Sequence, residues 1–518
     1  MDRAELGSDP SESRLGGEVM DYLTLLQATL PDLIVVVALF AALGVDYGLR
    51  RGKDPDERGR IAASVTTIGL FLALGCVLFQ FLQGETLRLG EGQLVLDATG
   101  LAAKALIYAL ALVVTQFAAH HAPTTHASEY HALLLLAALG MSFLSTTENL
   151  LLAFVALELV SLSLYALTAF KTSSSQSAEA GLKYFAFGGV ASAFFVFGIS
   201  YLYGATGSLD MADWADLEEL PSLFALGLAF ALVGLGFKVA VVPFHLWAPD
   251  VYQCAPTPVA AWVASGSKIA SVFFLVNLLA AVPGGEETAL LVFVPLALAA
   301  SFSMLIGNLG ALRQSNLKRL LAYASIANGG YLLIGALASS TDGFAAALFY
   351  VIVYALANMG AFGVIGLLSD RMKGEGGIDD FGGCWRRHPG LSFAFLLFLL
   401  SSAGIPPLAG FVGKYYLFFA AFGQIDATYV LDDALVGRNG WMVFLVGMAL
   451  VMSVISLYYY LRVLKAFLVS EEKSPHLDDG VEIRPGVRLS VFCLAALVVA
   501  LGIWPSPFME LLQAGFLK

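Results

Sequence analysis

Charge is what this sequence has least of: Asp, Glu, Lys and Arg make up 13% of its 518 residues, against roughly 25% in an ordinary soluble protein. Cysteine is nearly missing. Cys76, Cys254, Cys384 and Cys493 stand far apart, so local spacing assembles neither a CxxC redox pair nor an iron-sulfur or zinc ligand set. A redox centre within the chain is therefore not expected. No GxxxxGK[ST] phosphate loop is present, which leaves nucleotide hydrolysis unsupported. The first 20 residues carry Asp2, Glu5, Asp9, Glu12 and Glu18 and no apolar core, the wrong pattern for a cleavable leader. With a net charge of -12, nucleic acid is not an expected partner.

What fills the chain is apolar sequence: 58% of residues are hydrophobic and the mean hydropathy is +0.79. The expected fold is an all-α polytopic membrane protein. Crossing the hydrocarbon core takes about 20 residues, and fourteen spans are read near 30-49, 61-83, 101-120, 131-147, 149-170, 181-204, 222-248, 258-281, 289-308, 317-338, 343-368, 390-419, 440-469 and 488-508. Residues 1-29 are read as a polar extension and 488-518 as the last helix and tail.

The basic residues test this count, because Lys and Arg accumulate in cytoplasmic loops. Seventeen of them fall after odd-numbered spans: Arg50, Arg51, Lys53, Arg58, Arg60, Lys171, Arg313, Lys318, Arg319, Arg371, Lys373, Arg386, Arg387, Lys465, Lys473, Arg484 and Arg488. Two, Arg88 and Arg438, fall after even-numbered ones. Fourteen spans with both termini outside fit that asymmetry. The acidic 210-219 segment is then an outer, solvated loop.

Lys104, Lys183, Lys238, Lys268, Lys414 and Glu158 lie in or at the edge of apolar spans. A charge at the membrane centre costs about 2.5 to 3.5 kcal/mol on insertion scales, so each requires a reason. Snorkelling of a long stem to the headgroups serves for Lys104 and is open to Lys183. Lys238, Lys268 and Lys414 are too deep for that and require water or a counter-charge. Glu158 has no basic neighbour on its own helix; it either ties two helices together or serves a function. Next to Lys238, in GLGFKVAVVPFHLWAPD, Pro243 removes a backbone hydrogen bond, and SSAGIPPLAGFVGKYY carries Pro406, Pro407, Gly404 and Gly410 upstream of Lys414. Spans 7 and 12 are thus expected to be interrupted, and unwound backbone at that depth belongs inside the protein or beside a water-filled cavity. Interrupted helices at matching places in two halves point to inverted repeats and a transport path; two packing kinks with incidental lysines are the alternative.

Lysine suits proton movement once it leaves water. Its ordinary pKa near 10.4 is lowered by desolvation and restored by a carboxylate. At an effective dielectric of 20 a Glu-Lys contact at 4 Å is worth about 4 kcal/mol, roughly three pKa units, so making or breaking it switches proton release. His245, seven positions after Lys238, is suited to relay protons at physiological pH or is simply a packed residue. Tyr252, Tyr323, Tyr415, Ser265 and Ser267 are weaker candidates to anchor water. The spacing of His120, His121, His126 and His131 is not a specific metal pattern and is read as an interfacial loop. Gly188, Gly189, Gly360 and Gly363 are expected to allow close helix packing.

At these residues the chain resembles membrane subunit N of respiratory complex I, the proton-translocating NADH:quinone oxidoreductase. The likeness is carried by LLAFVALELVSLSLYAL, GLKYFAFG, GFKVAVVPFHLWAPDVYQCAPTPVAAWVASGSK, NLKRLLAYASIANGGY and AGIPPLAGFVGKYY, over roughly residues 130 to 420. It implies two inverted five-helix repeats, spans 4-8 (131-281) and 9-13 (289-469), after an N-terminal unit of spans 1-3 (30-120). It also implies a proton relay: Glu158 paired with Lys238, then Lys268 and Lys414, with Lys183 and His245 matching the family's lysine at the start of span 6 and histidine after the span 7 proline. The family wording PDVYEGAPTPV reads PDVYQCAPTPV here, so Gln253 and Cys254 replace Glu-Gly, a change expected to touch no relay residue. By the same resemblance this chain binds no cofactor; quinone, FMN, iron-sulfur clusters and NADH belong to partner subunits. Its partners are other antiporter-like and small membrane subunits, with cardiolipin or other lipids, in a bacterial inner membrane. The competing readings are a cation/proton antiporter subunit without a redox partner, and a structural subunit whose charges serve assembly.

Overall fold

The computed structural model describes residues 22-44, 55-90, 92-121, 126-216, 222-283, 286-369, 376-424, 438-470 and 484-516. Most of the expected amino-terminal extension, the basic residues Arg50, Arg51, Lys53, Arg371, Lys373 and Lys473, and the acidic residues Glu218 and Glu219 lie outside them. The helices are α1 (Tyr22–Gly44), α2 (Pro55–Gln83), α3 (Ala98–His121), α4 (Ala127–Ser145), α5 (Leu150–Thr168), α6 (Ser175–Thr206), α7 (Ser222–Val239), α8 (Ala248–Cys254), α9 (Thr257–Ala264), α10 (Gly266–Ala280), α11 (Glu286–Leu312), α12 (Leu317–Ala338), α13 (Thr341–Ser369), α14 (Cys384–Arg387), α15 (Pro389–Ala403), α16 (Ala409–Gly423), α17 (Arg438–Leu468), α18 (Pro485–Ile503) and α19 (Ser506–Ala514). A small hairpin, β1 (Leu87–Leu89) and β2 (Leu94–Leu96), joins α2 to α3.

Thirteen helical segments among the described residues are long and apolar enough to cross a membrane, with α9 and α10 taken as one span. The fourteenth crossing is the pair α15 and α16, each too short alone. The chain is a multi-span membrane protein. Single residues end the interrupted helices. At Ala240 the backbone enters the left-handed region, φ 61°, one residue after α7 stops, and residues 240-247 run as turns to α8. Gly404, at φ 84°, caps α15, a conformation glycine adopts without steric cost. A further break, at Ser265 between α9 and α10, has no proline to announce it.

Connections group at two ends of the bundle. At one end Arg88 of β1 bonds Glu148 and Asp210, Val95 N–H donates to Thr146 O at 2.7 Å, and Asn149 bridges to Asp210. Burial opposes the Arg88 charge, but Asp210 and Glu148 outweigh it and hold the pKa above the ordinary arginine value. Asp210 is only 7% exposed and Met211–Asp216 forms a 3-10 helix with Trp214 buried and Asp213 exposed, so the described part of this acidic segment is anchored at Asp210 and Trp214 and solvated at Asp213. At the other end Asn316 caps α12 and bridges to Gly377, and Arg462 donates to Leu312 O and Gln314 O.

Small residues set the packing. A Cβ at Gly188 would lie 1.7 Å from the Tyr165 hydroxyl oxygen, and one at Gly363 2.4 Å from the Phe117 ring, so these glycines admit a neighbour no other residue would. Gly189 meets nothing within 4 Å and does not serve that purpose. At the centre runs α13, buried along the whole of its membrane window.

Candidate functional site

Three lysines sit inside the bundle: Lys238 is 2% exposed, Lys268 1% and Lys414 5%. The helix breaks supply part of their surroundings. Lys238 is in the last turn of α7, where unpaired carbonyls and the helix dipole favour a cation. Lys414, in α16, reaches back to the open end of α15 and donates to Ala403 O at 3.3 Å. The same logic thus acts twice, once within a helix and once across a break.

Aromatic rings line all three ammonium groups. Lys238 Nζ lies 5.5 Å from the Tyr165 ring, 5.7 Å from Tyr184 and 5.5 Å from Phe237, and it has no protein hydrogen-bond partner. Lys268 Nζ lies 4.9 Å from Tyr354, and Lys414 Nζ 5.0 Å from Tyr331. A ring face stabilises a desolvated cation without accepting its proton.

Glu158 and Lys238 form no ion pair within 4 Å in this structure. The Glu158 carboxylate accepts a hydrogen bond from Ser192 of α6, while its charge still reaches Lys238. Tyr165 and Tyr184 hydroxyls and His245 Nδ1, all around the α7 break, likewise lack protein partners. Buried polar groups of this kind are ordinarily met by water.

Toward the second lysine, Tyr184 stacks on Trp247 with ring centroids 4.3 Å apart, and Trp247 meets the edge of Tyr252 at 6.2 Å. Tyr252 and Ser325 hydroxyls are 3.3 Å apart. Lys268 donates to Ser325 Oγ at 2.6 Å and to Ser325 O at 2.8 Å. Ser325, Asn328 and Tyr331 then follow at i, i+3 and i+6 on α12, one helix face spanning about 9 Å. Tyr350 donates to Asn328 Oδ1 at 2.6 Å, and Asn308 Nδ2 donates to the Tyr331 hydroxyl at 3.4 Å. That face joins the surroundings of Lys268 to those of Lys414.

Ser192, Ser325, Asn328, Asn308 and Tyr350 were not singled out from the sequence. Asn308 and Asn328 had a signal, an amide in an otherwise apolar span; Ser325 was visible only as a spacing. Tyr252 stands on the polar line, whereas Tyr415 is 53% exposed on the outer surface of the bundle. Ser265 is spent on Ala261 O at 2.5 Å.

Lys183 stands apart from the buried group. It bonds Glu179 and Asp250, each at 2.8 Å, with 42% of its side chain exposed. Arg319 Nη1 joins Asp250 at 2.7 Å and Gln253 Oε1 at 3.0 Å. Gln253, where the resembling family has Glu, therefore stands in the same network as Lys183. Lys104 does not snorkel: it is fully buried and bonds Asp32 at 2.5 Å, since a carboxylate on α1 gives it a partner that it would otherwise seek at the headgroups. Among the described residues no three His, Cys, Asp or Glu converge as metal ligands. His126 bonds Glu129 at 3.3 Å and His131 is buried.

Comparison with known proteins bears on this arrangement. Residues 147–431 match the family model described as NADH:quinone oxidoreductase/Mrp antiporter, transmembrane. NADH-quinone oxidoreductase subunit N 2 of Acidobacterium capsulatum is 41% identical, over 95% of this chain and 99% of that one. Subunit N of Desulforamulus reducens is 36% identical, over 88% and 92%. Among solved structures, a chain of respiratory complex I from Thermus thermophilus with bound aureothin aligns with a TM-score of 0.76 at 34% identity, over 93% of this chain and 98% of that one. A chain of the Mrp complex from Dietzia sp. shares the fold, with a TM-score of 0.79 at 22% identity, over 95% and 97%. On the family model and the full-length relatives together, this multi-span chain belongs to the antiporter-like subunit N family of NADH-quinone oxidoreductase.

Proposed function

We propose that this chain moves protons across the membrane within an NADH:quinone oxidoreductase, through Glu158, Lys238, His245, Lys268 and Lys414, driven by quinone reduction in partner subunits. The observation that carries the reading is the placement of three buried lysines along a line of hydroxyl and amide groups, with Ser325, Asn328 and Tyr331 of α12 between the second and third. Lysines at that depth are costly, and a lattice of fixed polar partners around them suits transfer rather than packing alone.

The open Glu158–Lys238 contact supports the switching step. With Glu158 on Ser192, the Lys238 cation is stabilised by ring faces and the helix end but makes no contact with a carboxylate, so movement of Glu158 onto or off it changes how firmly the proton is held. Rotation of Glu158 to Lys238 restores about 4 kcal/mol of attraction at an effective dielectric of 20, and the lysine keeps its proton. His245 at the break offers the neighbouring acceptor. Lys183, half exposed and tied to Asp250, serves as the inner-face entry of the path.

In this reading α4 to α10 and α11 to α17 are the two inverted repeats, and α1 to α3 the N-terminal unit. Both termini face the periplasm, as the basic-loop asymmetry requires. NADH, FMN, iron-sulfur clusters and quinone are handled by partner subunits, and other antiporter-like membrane subunits flank this one. The test is proton uptake by the reconstituted complex carrying Lys238→Met, normalised to quinone reduced. Loss of uptake per quinone is expected. Unchanged coupling with less assembled complex would instead assign these charges to assembly, and cation exchange without redox partners would assign the chain to the antiporters.

A further inference from the structure

The break in α7 has a second side, which none of the buried lysines lines. A cleft of about 560 Å³ runs between α7 and α11, with the buried Leu275 of α10 and Leu333 of α12 behind it. Its α7 wall includes Ala225, Ala229, Val233 and Gly236, at i, i+4, i+8 and i+11 on one helix face. Its α11 wall includes Val292, Pro295, Ala299 and Phe302, at i, i+3, i+7 and i+10. Alanine and glycine recess the first wall, while Leu298 and Phe302 at the mouth are 41% and 48% exposed. The cleft therefore opens sideways, toward the bilayer that a multi-span chain occupies.

Its chemistry calls for hydrocarbon. No lining residue carries a polar side chain, and the unwound backbone at its inner end is already satisfied: Ala240 N–H donates to Phe237 O at 3.1 Å, Val241 N–H to Gly236 O at 3.0 Å and Phe244 N–H to Val241 O at 2.7 Å. Val242 N–H donates to Ser303 Oγ at 2.8 Å, and Pro243 has no N–H to offer. Apolar space of this kind holds no water, and left empty it forfeits the contacts that close packing supplies. Its length is that of one leaflet. From Ala225 to Gly236 α7 rises about 16 Å, against about 15 Å for half the hydrocarbon core, running from the hairpin end of the bundle, where α7 begins, to the level of the break.

We infer that the cleft between α7 and α11 binds one acyl chain of a phospholipid from the leaflet at the hairpin end, with the chain's methyl end against Val241, Val242 and Phe244. The chain fills the space that the interrupted helix leaves and acts as a non-covalent part of the packing between α7 and α11. Phospholipid is the occupant because the bilayer presents it at the mouth in excess over every other amphiphile, and mass action fills an apolar site accordingly. The site does not depend on how protons cross the chain.

The test places assembled complex in vesicles of phosphatidylethanolamine and phosphatidylglycerol, part of the latter carrying a photoreactive diazirine on one saturated chain, and maps the crosslinks by mass spectrometry. A diazirine near the methyl end is expected to mark Val241, Val242 and Phe302 severalfold above Val451 and Val454, exposed on α17, and one near the ester to mark Ala225 and Val292. Ala229→Phe with Ala299→Phe fills the groove and should bring marking of the break down to the α17 level; should that pair fail to assemble, Ala229→Leu alone, at an exposed position, should lower it partway. Melting gives a second readout: delipidated wild type should regain its melting temperature with long-chain but not short-chain phosphatidylglycerol, and the filled variant should melt alike with both. Marking of the break no stronger than that of α17, marking that survives the filled groove, or marking displaced by a long-tailed quinone would overturn the inference. Lys238→Met should leave the marking unchanged, so the lipid site and the proton line fail separately.

Discussion

Ser325 is the narrowest point of the line described above. Its hydroxyl is the atom that touches both the Lys268 ammonium, at 2.6 Å, and the Tyr252 hydroxyl, at 3.3 Å. Ser325→Ala removes that atom and little else, since Lys268 keeps its 2.8 Å bond to Ser325 O and the helix keeps a good former. A hydrogen bond to a charged group is worth about 1.5 to 3 kcal/mol, and each 1.4 kcal/mol is tenfold in rate. If proton passage at Lys268 limits turnover, coupled quinone reduction should fall by roughly tenfold or more, with Ser325→Thr close to the wild type. The assay is the initial rate of proton uptake and quinone reduction in sealed proteoliposomes, with uncoupled quinone reduction as the control. A Ser325→Ala complex that turns over and pumps within about twofold of the wild type would refute the assignment of this hydroxyl.

Three other outcomes follow from particular contacts. Gly188→Ala should destabilise the complex by about 1 to 3 kcal/mol, because its Cβ would lie 1.7 Å from the Tyr165 hydroxyl; Gly189→Ala should not, and thermal melts of the two in detergent decide it. Arg88→Ala should cost about 1 kcal/mol, given an arginine side chain 38% exposed and an Asp210 side chain only 9% exposed, and should raise proteolysis at the hairpin. Asn328→Leu strands the Tyr350 hydroxyl, whose 2.6 Å bond it removes, and should slow coupled proton uptake more than it lowers the amount of assembled complex.

The broken helices were legible because proline and glycine act locally. Pro243 and the Gly404 to Pro407 run disfavour continuous helix, and the structure ends α7 and α15 there, whereas Pro31 and Pro295 sit inside the continuous helices α1 and α11. The fourteen crossings were legible for a related reason, since bilayer thickness imposes one length on every span. Partnership across the bundle was not legible. Lys104 and Asp32 are 72 residues apart, and one buried lysine in a sequence does not say whether its stem reaches outward or a carboxylate reaches inward. Ser192 as the holder of Glu158 and Ser325 as the holder of Lys268 are hidden in the same way, because serine is common in packed membrane helices and only the fold singles out which ones meet a charge.

The enclosed helix α13 has a consequence of its own. Every side chain in its membrane window is surrounded by protein, so it has no lipid-facing strip into which an enlarged residue could turn. It acts as the keel of the molecule. Tyr350, packed on Gly413 beside Lys414, and Tyr354, whose ring face meets Lys268, ride on that one rod, so a shift that disturbs one lysine's neighbour carries the other's along with it.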